Sequence, residues 1–182
     1  LDPRGSERKT TGSYYTNPDL IAELIKSALD PVIADRLSRA GPDPAAREKA
    51  LLSIRVCDPA CGSGAFLIAA SNRLGREVAK IRAGTELPSA AEVQAARRDV
   101  LSHCIYGVDL NPMAVELAKV SLWINALVGD KPLSFLDHHI RCGNSLIGAT
   151  PELIAGGIPD DAYTPVEGDS KDVARRIKAA NK

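Results

Sequence analysis

The chain has 182 residues, 45% of them hydrophobic and only 4% aromatic, with lysine plus arginine equal to aspartate plus glutamate at 23 each. That length suits one well-buried aliphatic α/β core, and a formal charge of zero excludes a domain that holds nucleic acid mainly by neutralising phosphates. No apolar run approaches a membrane span. The chain begins at Leu1, and residues 1–8 are polar with no apolar h-region, so the expectation is a cut chain of a cytoplasmic protein, with no secretory signal.

In chain order, Asn17 and Pro18 read as N-cap and first position of a helix reaching residue 29, with Ile21, Leu24, Ile25, Ala28 and Leu29 on one face. A second helix is expected from Pro31 to Arg39. Gly41-Pro42-Asp43-Pro44 breaks the chain, and Asp43 with Pro44 starts another helix toward Leu52. A short strand follows at Ile54-Arg55-Val56-Cys57, then a glycine turn, then an apolar helix from Ala65 to about Arg82. Ser89 and Glu92 form a capping-box pattern that opens a helix to about Ser102. Ile105 to Leu110 reads as a second core strand, and Asn111-Pro112 repeats the cap signal. Met113, Leu117, Val120, Ile124 and Leu127 make an apolar stripe on the next helix, with Trp123 near its buried side. After the turn at Gly129-Asp130-Lys131-Pro132, a third strand is expected around His139 to Cys142, with His138 and His139 as solvated turn residues. Prolines and glycines dominate from Pro151 to Gly168, and a charged helix with little apolar face runs from Ser170 to Ala180.

Asp58-Pro59-Ala60-Cys61-Gly62-Ser63-Gly64-Ala65-Phe66 joins a strand exit to a glycine turn and a helix start. Glycines there permit positive φ and close backbone approach, and free N–H groups at a helix start favour a carboxylate or phosphate. The third glycine of the dinucleotide fingerprint is absent, which argues against a pyrophosphate. Asp109, at the end of the second strand, is placed to receive ribose hydroxyls, although the interval from Asp58 far exceeds the ~20 residues of a simple βαβ unit. The helix opened by Ser89 accounts for the excess. An ordinary strand-helix turn and a helix-start carboxylate are the plain alternatives. Cys57, Cys61, Cys104 and Cys142 show no zinc-type spacing and read as reduced structural thiols, so no metal is expected.

The nine-residue run resembles the first cofactor motif of the adenine-specific DNA methyltransferases. Gly107-Val108-Asp109-Leu110-Asn111-Pro112 resembles their second motif, Thr11 to Pro18 their motif ten, and Cys142 to Gly148 their third. The resemblance covers residues 9 to about 148. It implies S-adenosylmethionine as cofactor, with Tyr15 and Thr16 at its methionine end. Asp58, Pro59, Ala60, Gly62, Ser63, Gly64 and Phe66 would lie around the carboxylate and sulfonium, Asp109 and Leu110 at the ribose, and Asn144 and Ser145 near the adenine. It further implies a Rossmann-like α/β methyltransferase sheet with helices on both faces, incomplete at its C-terminal side. The expected divisions are an arm over 1–16, a helical segment over 17–53, the cofactor core over 54–150 and a connector over 151–182.

The family's catalytic motif, Asn or Asp followed by Pro-Pro and an aromatic, is missing, because the chain contains no Pro-Pro. The expectation is therefore the cofactor-binding portion of a restriction-modification or phage-defence enzyme, inactive alone, that meets DNA through parts not present. An RNA or protein-glutamine methyltransferase stays open as an alternative, as does a non-catalytic nucleotide-binding module.

Overall fold

The computed structural model describes residues 16–126, 133–148 and 150–180. The chain divides into two compact units, Leu1–Ser145 and Leu146–Lys182. Tyr15, the motif residues before it, Leu127 and the turn at 129–132 lie outside the described residues.

Two helix starts near the N-terminus behave as their sequences dictate. The Asn17 side chain accepts the Asp19 N–H (2.8 Å) and opens α1, Pro18–Leu24. Asp43 accepts the Ala46 N–H (2.9 Å) and opens α3, Pro44–Leu52. Between them a π-turn, Ile25–Leu29, runs directly into α2, Asp30–Ala40, where two separated helices were expected. Pro31 is the reason: it lacks an N–H and its ring clashes with the i−4 carbonyl in a regular α-turn, and the wider turn relieves both problems without ending the helix.

The core is built on three parallel strands in the order β1 (Val56–Asp58), β2 (Ile105–Asp109) and β3 (Ile140–Cys142). β1 begins two residues later than the sequence pattern indicates. Two helices, α4 (Ala65–Ala83) and α5 (Ala90–His103), fill the β1–β2 connection, and a complete capping box between Ser89 and Glu92 starts the second. α6 (Pro112–Ala126) and a 3-10 turn (Leu133–His138) connect β2 to β3. Leu67, Leu74, Val78, Val100, Leu101, Ile105, Leu122, Leu136 and Ile140 are all but fully buried in one continuous core. Each such side chain contributes about 1.5–3 kcal/mol on burial.

Helices on both sheet faces were expected, and among the described residues they cover one. The register places Val56, Ile105, Gly107 and Ile140 on the covered face and Cys57, Tyr106, Val108 and Arg141 on the other. Ile105, Gly107 and Ile140 are buried, whereas Cys57 and Arg141 are exposed and Tyr106 and Val108 half-buried. Both connections also step across the sheet in the same direction, and right-handed crossovers that do so lie on the same face. His138 is exposed, but His139, in the turn before β3, is half-buried rather than solvated. Its ring stacks on Tyr106 (centroids 4.7 Å apart) and its Nδ1 lies 2.9 Å from the Ile105 carbonyl, which stiffens the open face.

The α6 stripe also departs from expectation. Met113, Leu117, Val120 and Ile124 are 76, 52, 38 and 56% exposed, and the helix packs through Val115, Ala118, Leu122 and Ala126. Trp123 is half-buried against the core, as expected. The helix is apolar on most of its circumference, so periodicity alone could not select its inner face. The face carrying Ala118 turns inward, because a Cβ on Gly64 would already lie 3.3 Å from the Ala118 Cβ and only a small side chain fits there. Lys119, on that inner side, is nearly buried and bridges Glu116 (2.8 Å) and Asp137 (2.7 Å), tying α6 to the 3-10 turn.

In the second unit, α7 (Pro151–Ala155), a 3-10 turn (Asp160–Tyr163) and α8 (Lys171–Ala180) contain no buried residue among those described. Lys178 and Asp160 pair at 3.6 Å. Val173 and Ile177 give α8 a narrow apolar face, each half-exposed.

Candidate functional site

The carboxyl ends of β1 and β2 carry Asp58 and Asp109, and the loop from Asp58 to Gly64 lies across the end of β2 rather than merely following β1. Three contacts hold it there. The Cys61 N–H donates to the Val108 carbonyl (2.9 Å), the Gly62 N–H donates to Asp109 Oδ2 (2.8 Å), and the Cys61 side chain lies against Gly107. Asp58 Oδ1 accepts the Ala60 N–H (3.1 Å), and the Gly64 N–H closes the turn on the Cys61 carbonyl (2.8 Å). Gly62 and Gly64 both have positive φ, 52° and 87°. A side chain at either would be strained.

Asp109 serves two backbone donors at once. Its Oδ1 accepts the Asn111 N–H (2.9 Å), which sets the chain into α6, while Oδ2 holds Gly62. A carboxylate offers about four lone-pair positions, so each oxygen keeps capacity for a ligand hydroxyl. Leu110, 68% exposed, stands next to it as an apolar surface at the mouth of the site.

Electrostatically the loop is acidic. Burial pushes the Cys61 thiol up to about 12, and the Asp58 and Asp109 carboxylates add to the shift. Cys61 is therefore a protonated thiol at neutral pH, with no nucleophilic character. The same two carboxylates oppose a pyrophosphate and favour hydroxyls and positive charge.

The remaining predicted positions fall around this loop to different degrees. Ser145 donates from Oγ to the Pro59 carbonyl (2.8 Å), so it straps the loop from the β3 side. Asn144 is exposed beside it, just beyond β3. Ser63 is exposed at the loop tip and Phe66 half-buried in the first turn of α4. Thr16 is half-buried immediately before the α1 cap, and Tyr15 lies outside the described residues. Both Asn-Pro pairs are spent as caps, since Asn111 Oδ1 accepts the Met113 N–H (3.0 Å) just as Asn17 serves Asp19. Sequence reasoning passed over Gly107 and the Val108 carbonyl. The signal available was a glycine inside a strand, which often marks a close approach.

A shallow hollow of about 560 Å³ at the amino end of β1 is lined by Ala45, Glu48, Lys49, Leu52, Ser53, Arg55 and His103. It is far from the loop and open to solvent, and Glu48 in it is already paired with Arg82. No group of three or more His, Cys, Asp or Glu among the described residues could hold a metal ion. Nor is any described helix long and apolar enough to cross a membrane.

Residues 45–146, more than half of the chain and the whole loop-bearing core, match the family described as MmeI, DNA-methyltransferase domain. The chain belongs to that family. Relatives of this methyltransferase domain include a putative type II restriction enzyme and methyltransferase of Methanocaldococcus jannaschii, 28% identical over 78% of the chain and 15% of the relative. The adenine-specific methyltransferase PglX of Streptomyces coelicolor is 32% identical over 65% of the chain and 10% of its own length. DNA methyltransferase A of Bacillus subtilis is 34% identical over 64% and 13%. The methyltransferase domain thus spans between a tenth and a sixth of the length of these relatives. No solved structure matches the chain. Membership implies a methyl donor, and the loop fits one with ribose hydroxyls and a positively charged end, because spare carboxylate acceptors and an apolar side chain meet there.

Proposed function

We propose that this methyltransferase domain binds S-adenosylmethionine at the Asp58–Gly64 loop and serves an adenine-N6 DNA methyltransferase. The observation that carries the reading is the Asp109 carboxylate seated on the Gly62 N–H at 2.8 Å, which unites the glycine loop and the ribose-binding position across 47 residues. When bound, the cofactor supplies an activated methyl group. Asp109, with Leu110 beside it, would receive the ribose hydroxyls, and Asn144 and Ser145 would lie near the adenine. Asp58, Pro59, Ala60, Gly62, Ser63, Gly64 and Phe66 would surround the methionine portion, closed by Tyr15 and Thr16. Restriction-modification and PglX-type relatives support a DNA adenine substrate.

The chain alone transfers no methyl group in this reading. It has no Asn/Asp-Pro-Pro-aromatic motif, and both Asn-Pro pairs are occupied as helix caps. The base-facing groups, and with them contact to DNA, would come from outside the chain. The arm over 1–16, helical segment over 17–53, Rossmann-like core over 54–150 and connector over 151–182 are the corresponding division of labour.

Calorimetric titration of S-adenosylmethionine into the chain and its Asp109→Ala form tests the reading. Saturable one-to-one binding is expected, weakened by the substitution at least ten-fold, about 1.4 kcal/mol. Binding of NAD in preference, or an Asp109→Ala chain of unchanged affinity, would remove it. Because Asp109 also holds Gly62, the substitution loosens the loop as well as removing the hydroxyl acceptor, so its effect is an upper bound on the ribose contact.

A further inference from the structure

We propose that Gly107 is a positioning residue for cofactor binding: carrying no side chain, it lets Cys61 seat against β2, and that seat sets the glycine loop over Asp109. The proposal rests on the cofactor reading of the loop and extends it to a residue that contacts no ligand. Gly107 lies mid-strand, buried, and paired on both sides with Asp58 and Ile140. Its backbone does not lie in the left-handed region, so conformation does not demand glycine there. Glycine in a strand interior costs about 0.5–1 kcal/mol relative to alanine. Space is what demands it. A Cβ at 107 would lie 3.1 Å from Cys61 Sγ, 3.2 Å from Cys61 Cβ and 2.8 Å from Leu67 Cδ1.

Cys61 is not free to move aside. Its own N–H is bonded to the Val108 carbonyl and its neighbour's N–H to Asp109; Sγ can turn about χ1, but the Cβ, 3.2 Å from a Cβ at 107, retreats only if the backbone carrying both bonds moves with it. The next residues in β2 after Gly107 are therefore the two acceptors that hold the loop, and Gly107 sets the distance at which they can do so. Leu67, on the first turns of α4, has a flexible end and a core position, and is the competing route by which a side chain at 107 could act.

The test uses the full chain carrying Gly107→Ala, read by amide hydrogen exchange and by titration with S-adenosylmethionine. Exchange at Cys61 and Gly62 should accelerate at least ten-fold and affinity fall at least ten-fold, while Leu74 and Val78 in the middle of α4 exchange as before. In a Cys61→Ala background the same substitution should cost less than half as much affinity on a logarithmic scale. Cys61→Val, which enlarges the other side of the contact, should reproduce the loop phenotype and serves if Gly107→Ala does not fold. Loop exchange and affinity within two-fold of the unsubstituted chain would overturn the proposal. So would relief in a Leu67→Ala background but not with Cys61→Ala, because the damage would then lie in the core. Exchange needs no ligand, so a chain that never binds S-adenosylmethionine sinks the cofactor reading while the seating of the loop is still decided.

Discussion

Single side chains at this site act mostly on the backbone. Asp58, Asp109 and Ser145 each hold a loop peptide group, and Asn111 holds the start of α6. Such bonds preorganise the loop before a ligand arrives, which lowers the ordering cost of binding. The cysteines separate by environment in the same way. Burial pushes Cys61 up to about 12 and Cys104 up to about 11, whereas Cys57 and Cys142 are exposed. Alkylation with iodoacetamide at pH 8, followed by peptide mass spectrometry, should label Cys57 and Cys142 first and leave Cys61 and Cys104 largely unmodified in the folded chain. Early labelling of Cys61 would show that the loop does not rest on β2 in solution.

Among the elements, α4 and α5 cross closely at Gly75. A Cβ on Gly75 would lie 2.6 Å from Arg97 Cγ and 3.3 Å from its Cα, so the two helices meet almost backbone to backbone. Gly75→Ala should gain about 1 kcal/mol of helix propensity and lose about 1–3 kcal/mol to overpacking. The clash is with Arg97 Cγ, near the root of its side chain, and the Arg97 backbone at 3.3–3.4 Å leaves little room behind it, so the loss prevails, and urea denaturation should show a net destabilisation of about 1 kcal/mol. A more stable variant would mean that α5 can slide away. For α6 the exposed stripe makes an opposite forecast. Leu117→Gln with Ile124→Gln should change unfolding free energy by no more than about 0.5 kcal/mol, because neither side chain is in the core. A loss of about 3 kcal/mol or more, the scale of emptied core positions, would put the stripe inside after all.

For the molecule as a whole, the buried thiols and Lys119 link stability to alkaline pH. Cys61, Cys104 and Lys119 all titrate higher in the folded chain, the first two by burial and Lys119 through hydrogen bonds to Asp137 and then Glu116. A raised folded value means that the stabilisation is complete below the unfolded value, near 9 for the thiols, and is lost as pH rises through the folded ones. Urea midpoints should therefore hold steady from pH 7 to about 8.5 and fall above about 9, less steeply in a Cys104→Ala chain. A flat profile to pH 10.5 would contradict the burial of both thiols. The half-open sheet is the other molecular feature, since parallel sheets are normally covered on both faces. Among the described residues, one face of β1 to β3 carries Cys57, Tyr106, Val108 and Arg141, two of them exposed and two half-buried, with no helix packed over it.

Local chemistry was legible in the sequence by itself. The caps at Asn17, Asp43, Ser89 and Asn111, the glycine turn with its positive φ, the three strand segments and the family all follow from residues that interact within a few positions of one another. What only the tertiary structure decided involves choices among faces and partners far apart in the chain. A helix apolar on most of its circumference, such as α6, can turn either side inward, and the close approach of Gly64 to Ala118 selected the side that carries Ala118. A π-turn in place of a break at Pro31, one covered sheet face in place of two among the described residues, and the Tyr106–His139 stack are likewise outcomes of packing. The loop shows the division most directly. Its glycines are a local requirement, but its seat on Gly107, Val108 and Asp109 exists only once β1 and β2 lie side by side, because hydrogen bonds and van der Waals contacts reach only a few ångströms.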